Sequence, residues 1–257
     1  MKKIRIISCN LRLQTVGDGE QQFINRVDFL CQRLLQLDAD VIGFQEIKPQ
    51  MRKMIIARMP GYALLGAGRD KYRLDEGSVI AYKQAELIPE RLISDILSPT
   101  PHIPGTTYGI DQSTCPRIFS SCDFMPIDGG KPFRVMNIHT DHIGKQARLL
   151  EVEQLLASYK EQQSIRPMTT FITGDFNALP DAPEIKLITE RGIFRDISSE
   201  LGGTFHGFGK CDPKIKIDYI FADGDAEVLD IFAPHDVNNG IYFSDHDPIV
   251  ATVVIPD

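Results

Sequence analysis

The sequence predicts an α/β sandwich, mixed β-sheets with helices packed outside them, and three observations predict it. Short, apolar, β-branched runs outnumber the stretches with helical periodicity. Some neighbouring runs are separated by only a turn, as around Asp128-Gly129-Gly130, and others by a whole helix, so parallel and antiparallel pairing are both expected. No shift in composition marks a linker and no segment repeats, which puts residues 1–257 in one domain.

Ile4–Cys9 is the first buried run, and it stops at Asn10. Phe23, Val27, Leu30, Leu34 and Leu37 then recur in steps of four and three, one face of an amphipathic helix. Val41–Phe44 reads as a second strand ending on Gln45-Glu46, and Met51–Met59 as a short helix stopped by Pro60-Gly61. Tyr62–Leu65 and Val79–Tyr82 are strands around a polar loop, Gly66–Gly77. Ser98–Thr114, with Pro99, Pro101, Pro104 and Gly105, is a long irregular loop, a kind that is often functional. Strands resume at Ile118–Phe124 and Phe133–Ile138, and Leu149, Val152, Leu156 and Tyr159 mark a helix over Gln146–Tyr159. Thr169–Thr173 is a strand running into Gly174-Asp175. Ala182–Glu190 is helical, and Ile217–Phe221, Val228–Phe232 and Ile249–Ile255 close the chain as strands.

Composition narrows the function. With 42% hydrophobic and 25% charged residues the chain folds around a core and needs neither disulfides nor a structural metal. The five cysteines are odd in number and without CxxC spacing, which fits a reducing, cytoplasmic setting. No apolar stretch nears ~18 residues, so no membrane span is expected. The run Ile4–Ile7, broken by Arg5, is too short for a secretory leader. A net charge of −7 opposes a protein that coats long duplex nucleic acid, though not one with a local basic groove. Nothing implies a protein partner.

The polar residues gather where strands stop. Apolar runs end in Asn10, Glu46, His139 and Asp175, and ligands of open α/β sheets bind beyond such strand ends. Asn and Asp also make turns, but Glu and His are poor turn formers. In Gly174-Asp175-Phe176-Asn177 a carboxylate that can deprotonate water stands two residues from an amide that can stabilise an oxyanion; an Asx turn before Pro180 accounts for the same residues. Ser244-Asp245-His246-Asp247-Pro248 pairs a hard oxygen ligand with an imidazole, or forms a surface turn. His139, Asp141 and His142 have the makings of a transition-metal cluster, but no further His or Cys lies at ligand spacing.

Ser8-Cys9-Asn10, Phe44-Gln45-Glu46, Asn137-Ile138-His139, Gly174-Asp175-Phe176-Asn177, Ile217-Asp218-Tyr219-Ile220-Phe221 and Ser244-Asp245-His246-Asp247-Pro248, in this order, resemble the endonuclease/exonuclease/phosphatase superfamily of metal-dependent phosphoester hydrolases. The resemblance runs through nearly the whole chain and implies a four-layered α/β sandwich of two mixed sheets flanked by helices, as in deoxyribonuclease I. It implies that Glu46 and Asp245 hold Mg²⁺ (or Mn²⁺), with Asn10 steadying metal and phosphate. Asp175 would activate water, Asn177 would hold phosphoryl oxygens, and His246, oriented by Asp218, would contact the scissile phosphate. His139 would face the phosphate from the other half, partnered by Glu76, for which a plain loop glutamate is the alternative.

Gly68-Arg69-Asp70, Pro116-Arg117, His139-x-Asp141-His142-x-Gly144-x-x-Ala147-Arg148 and Thr204-Phe205-His206-Gly207 are similar to a bacterial subgroup, whose loops would bring Arg69, Arg117, Arg148 and His206 to the substrate. An arginine grips phosphate with two parallel N–H donors. For Arg148 an ion pair with Glu151 is the competing reading. The chain departs from the subgroup in having no Trp, with Ile118-Phe119-Ser120-Ser121 after Pro116-Arg117, and in placing Thr140 after His139; neither departure touches the core catalytic set, and both bear on the substrate wall. The expected activity is a phosphodiesterase or nuclease working on a small phosphoester or the short, terminal part of a nucleic acid. A phosphomonoesterase of a sugar or inositol phosphate is the alternative, and a non-catalytic binding module is opposed by the complete polar set.

Overall fold

In the computed structural model, which describes residues 2–190 and 192–256, the first apolar run forms β1 (Lys3–Asn10) and the periodic segment forms α1 (Phe23–Leu37). There follow β2 (Val41–Ile47), α2 (Pro49–Arg58), β3 (Tyr62–Leu65), β4 (Gly77–Lys83), β5 (Leu87–Ile96), β6 (Ile118–Pro126) and β7 (Phe133–His139). Next come α3 (Lys145–Ile165), β8 (Thr169–Asp175), α4 (Pro183–Thr189), β9 (Phe194–Asp196), β10 (Asp218–Asp223) and β11 (Glu227–Phe232). A small ribbon of β12 (Val237–Asn238) and β13 (Ile241–Tyr242) precedes β14 (Ile249–Val254).

The strands make two six-stranded mixed sheets, ordered β11-β14-β1-β2-β4-β3 and β5-β6-β7-β8-β10-β9. β1 with β2 and β7 with β8 are parallel, and the other pairs are antiparallel. Three apolar clusters define four layers. Val27, Leu30 and Leu34 of α1 and Met51 and Ile55 of α2 pack on Ile7, Ile42 and Val79 outside the first sheet. Ile4, Ile6, Val41 and Ile80 meet Phe124, Phe133 and Phe171 between the sheets. Val152, Leu155 and Leu156 of α3 and Ile185 and Ile188 of α4 cover Met136, Ile172 and Phe221 outside the second. The predicted sandwich is the observed one.

Some strands lacked the expected signal. β5 alternates buried and exposed positions, carries Pro89 and three charges, and lies at a sheet edge, where proline and charge are tolerated. β9 is only three residues long. β2 does not stop at Glu46 but continues to Ile47 through a register break against β4 between Phe44 and Ile47. Glu46 lies in that break with φ 59°, a left-handed conformation that costs energy for a side-chain-bearing residue.

A polar clasp joins the two sheets beneath their strand ends. Asn137 on β7 donates to the Phe44 carbonyl at 2.8 Å and the Val79 carbonyl at 3.0 Å. Its Oδ1 accepts from Gln45 Nε2 at 2.6 Å and Thr173 Oγ1 at 3.1 Å. Gly43 makes this closeness possible, because a Cβ there would lie 2.2 Å from Thr173 Oγ1 and 2.7 Å from Asn137 Oδ1. Asn137→Ala would strand several buried polar groups, each at about 1–3 kcal/mol. The expected result is a loss of about 3 kcal/mol in unfolding free energy by denaturant titration; a loss under about 1 kcal/mol would show the clasp to be dispensable.

Candidate active site

The clasp aims strand ends from both sheets at one cleft of about 420 Å³, lined among others by Glu46, Glu76, His139, Asp175, Asn177, Asp245 and His246. On the first sheet Asn10 ends β1 opposite Gln45, one residue before Glu46. Asn10 Nδ2 donates to Glu46 Oε1 at 3.1 Å and to Asp175 Oδ2 at 2.9 Å, so one buried amide bridges the carboxylates of the two sheets. Asn10 Oδ1 accepts the Arg12 N–H, and the Leu13 N–H reaches Glu46 Oε2 at 2.9 Å. This tight turn needs Arg12 at φ 53° and brings its side chain into the cleft, paired with Asp18 and 3.7 Å from Asp245.

On the second sheet, register alone aligns the functional groups. Asp175 on β8 stands opposite His139 on β7 and opposite Asp218 on β10, and such partners share a sheet face. His139 Nε2 is 3.6 Å from Asp175 Oδ2, and His246 Nε2 approaches the same oxygen at 3.8 Å. His246 Nδ1 is 2.8 Å from Asp218 Oδ2. The chain does not stay extended after Asp175: Asn177 has φ 47°, and its N–H donates back to Asp175 Oδ1 at 2.9 Å, the Asx geometry. Both residues nevertheless line the cleft, Asn177 with its amide resting on the Thr140 carbonyl.

The two histidines flanking Asp175 are driven apart electrostatically. Burial, reinforced by the Arg117 and Arg69 charges, holds His139 well below its ordinary value and therefore neutral. Burial also opposes charge on His246, but Asp218, Asp245 and Asp175 together outweigh it and hold His246 well above its ordinary value. Burial and then the Asp218 charge push Asp175 up to about 7, and burial raises Asp245. A neutral histidine, a protonated histidine and a carboxylate of raised basicity thus meet at one point, an arrangement suited to acid–base work.

Arg69 and Arg117 reach the cleft, as does Glu76. Glu76 is a correction in one respect: its Oε1 pairs with Arg69 Nη2 at 3.0 Å, while His139 faces Asp175. The His139–Asp141–His142 segment is not a metal cluster. Asp141 Oδ1 accepts the N–H groups of Ser113, Ile143 and Gly144, and its Oδ2 takes the Ser113 hydroxyl and Arg117 Nε. Against the opposing effect of burial, those N–H donors hold Asp141 down at about 2. The carboxylate is spent on pinning the long 98–117 loop to the cleft.

Arg148 and His206 are not brought to the cleft. Arg148 turns toward α4, where Nε pairs with the nearly buried Glu184 at 2.5 Å and Nη1 donates to the Asp141 carbonyl at 3.1 Å. Its ion pair is with Glu184 rather than Glu151. Glu151 accepts the Asp141 N–H and is pushed up to about 8 by burial. In the Thr204-Phe205-His206 segment, Phe205 bridges to His246 and lines the cleft, so its extended neighbour His206 points the other way. There His206 and His235 surround Asp247, with Lys214 on the second carboxylate oxygen. The Gly209 N–H donates to His206 Nδ1, which puts that ring's proton on Nε2, against Asp247. The side chains of His206, His235 and Asp247 form one hydrogen-bonded network, and their ligand atoms also lie within 4.8 Å of one another, close enough to hold a metal ion.

Five further residues of the cleft were not foreseen as site residues: Arg12, Leu13, Cys115, Phe205 and Ile217, together with His142 in a role other than metal ligand. Arg12 lies two positions past Asn10, and Phe205 one before His206, but no residue pattern says which way either points.

The structure is similar to known ones over its whole length. The crystal structure of an endonuclease/exonuclease/phosphatase from Bacteroides vulgatus superposes with TM-score 0.92 at 26% identity, covering 100% of both chains. A mannosyl-6-phosphatase from Bacteroides thetaiotaomicron gives 0.89 at 27% identity, covering 98% of this chain and 100% of its own. The human nocturnin catalytic domain shares the fold, with TM-score 0.78 at 15% identity over 99% of this chain and 94% of its own. The model of the Endonuclease/Exonuclease/phosphatase family matches residues 7–246, from β1 to His246. By that match and by its fold, the chain belongs to the endonuclease/exonuclease/phosphatase family and is a metal-dependent phosphoester hydrolase.

Proposed function

We propose that this protein hydrolyses a small phosphoester with Mg²⁺ or Mn²⁺. The observation that carries the reading is Asp175 Oδ2, held between neutral His139 and protonated His246 and bridged by Asn10 to Glu46. The donors fit a hard divalent cation: Glu46, His139 and Asp175 bring one ligand atom each to within 4.8 Å of one another, and Asp245 adds a crowded carboxylate. Glu46 and Asp245 would hold the ion beside Asn10, and when bound it supplies charge neutralisation at the phosphoryl oxygens. Asp175 takes the proton of the attacking water, and His246, kept protonated by Asp218, donates to the phosphoryl group. Asn177 has one amide hydrogen on Thr140 and offers the other to the phosphate.

Substrate size follows from charge and volume. A net charge of −7 and a cleft of about 420 Å³ suit one phosphoryl group and a ring-sized substituent better than a long polyanion. The similarity to a mannosyl-6-phosphatase favours a phosphomonoester of a sugar; a small diester or the terminus of a nucleic acid is the competing substrate. A panel of hexose phosphates, inositol phosphates, dinucleotides and short DNA, with Mg²⁺ or Mn²⁺, decides between them. Exhaustive chelation is expected to abolish turnover, Mg²⁺ or Mn²⁺ to restore it, and Zn²⁺ to restore less. Turnover that survives chelation would overturn the metal assignment.

No helix among the described residues is long and apolar enough to cross a membrane. We place the whole chain in one catalytic domain acting in the cytoplasm, a reading supported by the free state of all five cysteines.

A further inference from the structure

His142 lines the cleft with an exposed ring, yet the ring is not free to turn. Arg117 Nη2 lies 2.7 Å from His142 Nδ1. A guanidinium only donates, so Nδ1 carries the lone pair and Nε2 carries the hydrogen. Arg117 is itself held through Nε by the fully buried Asp141, the carboxylate that pins the 98–117 loop. Among the described residues no protein acceptor meets the Nε2–H. Burial and the Arg117 charge keep the ring below its ordinary value, so the donor stays neutral. A neutral N–H in a cleft wall with no protein acceptor is suited to a neutral oxygen of the substrate, such as a hydroxyl.

The His246 side of the cleft has the opposite character. Phe205 packs its ring against His246, with centroids 4.9 Å apart, and lines the cleft, as does Ile217. A substrate whose phosphate sits at Asp175 therefore meets, in the same cleft, an aromatic ring at Phe205 and an N–H donor at His142. A sugar ring has both complements, an apolar C–H face and hydroxyls at its edge; a planar aryl group has only the first.

We infer that His142 and Phe205 form a recognition subsite for the polyhydroxylated ring of the substrate, His142 Nε2–H donating to a ring hydroxyl oxygen and Phe205 packing on the ring's C–H face. The inference rests on the phosphoester-hydrolase reading and deepens it to a substrate class.

The test is a selectivity ratio, kcat/KM for a hexose 6-phosphate over kcat/KM for phenyl phosphate, measured at saturating Mg²⁺. The wild type is expected to favour the hexose ester. His142→Ala is expected to lower the ratio about tenfold, the size of one lost hydrogen bond, chiefly through KM for the sugar. His142→Gln, which restores an N–H donor, should recover part of it. Phe205→Leu, which keeps apolar bulk but not the flat ring, should lower the ratio severalfold. A wild type that prefers phenyl phosphate, or a His142→Ala variant that loses equally on both esters, would overturn the subsite while leaving the hydrolase reading in place. A wild type inert on every ester of the panel would sink both.

Discussion

Asp175→Asn should lower kcat by about 10³-fold, in the middle of the range for a lost general base. The exchange is isosteric, but it replaces the proton acceptor with an amide whose nitrogen faces a donor in either orientation, Asn10 Nδ2 at the Oδ2 place or the Asn177 N–H at the Oδ1 place, each at 2.9 Å. Higher Mg²⁺ should not rescue this variant, whereas Glu46→Gln, which weakens the metal site, should regain activity as Mg²⁺ is raised. The pH profile gives a second readout. Burial and Asp218 push Asp175 up to about 7 from an ordinary 3.8, and a bound cation pulls it back down. The base form is the deprotonated one, so kcat/KM should fall as pH drops through a value between those two limits. Asp175→Asn should abolish that acid limb. A loss below about tenfold, or equal metal rescue of both variants, would show that another group activates the water.

Removing His246 should cost about 10²–10³-fold in kcat, and removing Asp218 nearly as much. The two act as a unit: Asp218 Oδ2 fixes the ring through Nδ1 at 2.8 Å and, ahead of Asp245 and Asp175, raises its value against burial. The double variant should therefore lose little more than either single one, because groups acting together are non-additive. The sign of the pH effect follows from the same linkage. His246 works in its protonated form, so activity is lost as pH rises through its raised value. Asp218→Asn removes the raising charge and should move the alkaline limb to lower pH. Losses that multiply, with an alkaline limb that stays put, would reduce Asp218 to a residue that merely begins β10.

How much of this was legible depended on whether the signal was local. The periodicity of Phe23–Leu37, the apolar run of β1 and the turn at Pro60-Gly61 are properties of neighbouring residues, and the elements formed where they were expected. The strand ends at Asn10, His139 and Asp175 were legible for the same reason, since an apolar run that meets a polar side chain marks where a sheet stops. β5 was not, because an edge strand buries one face and accepts Pro89 and charges on the other, so its composition is that of a loop.

What a side chain points at is a different matter. Arg148 and Arg117 look alike as motif arginines, but the nearly buried Glu184 of α4 claims one and Asp141 holds the other at the cleft. Phe205 and His206 are adjacent, and the bridge of Phe205 to His246 sends the aromatic ring to the cleft and the buried imidazole to Asp247. Glu76 was expected beside His139 and found its countercharge in Arg69 instead. The sequence by itself determined the layered architecture, the family and the set of polar residues at the strand ends, because these depend on periodicity and on residue type. Only the tertiary structure decided which of those residues face one another and which are neutral or charged, because direction and pKa are set by partners far away in the chain and by the burial that packing imposes.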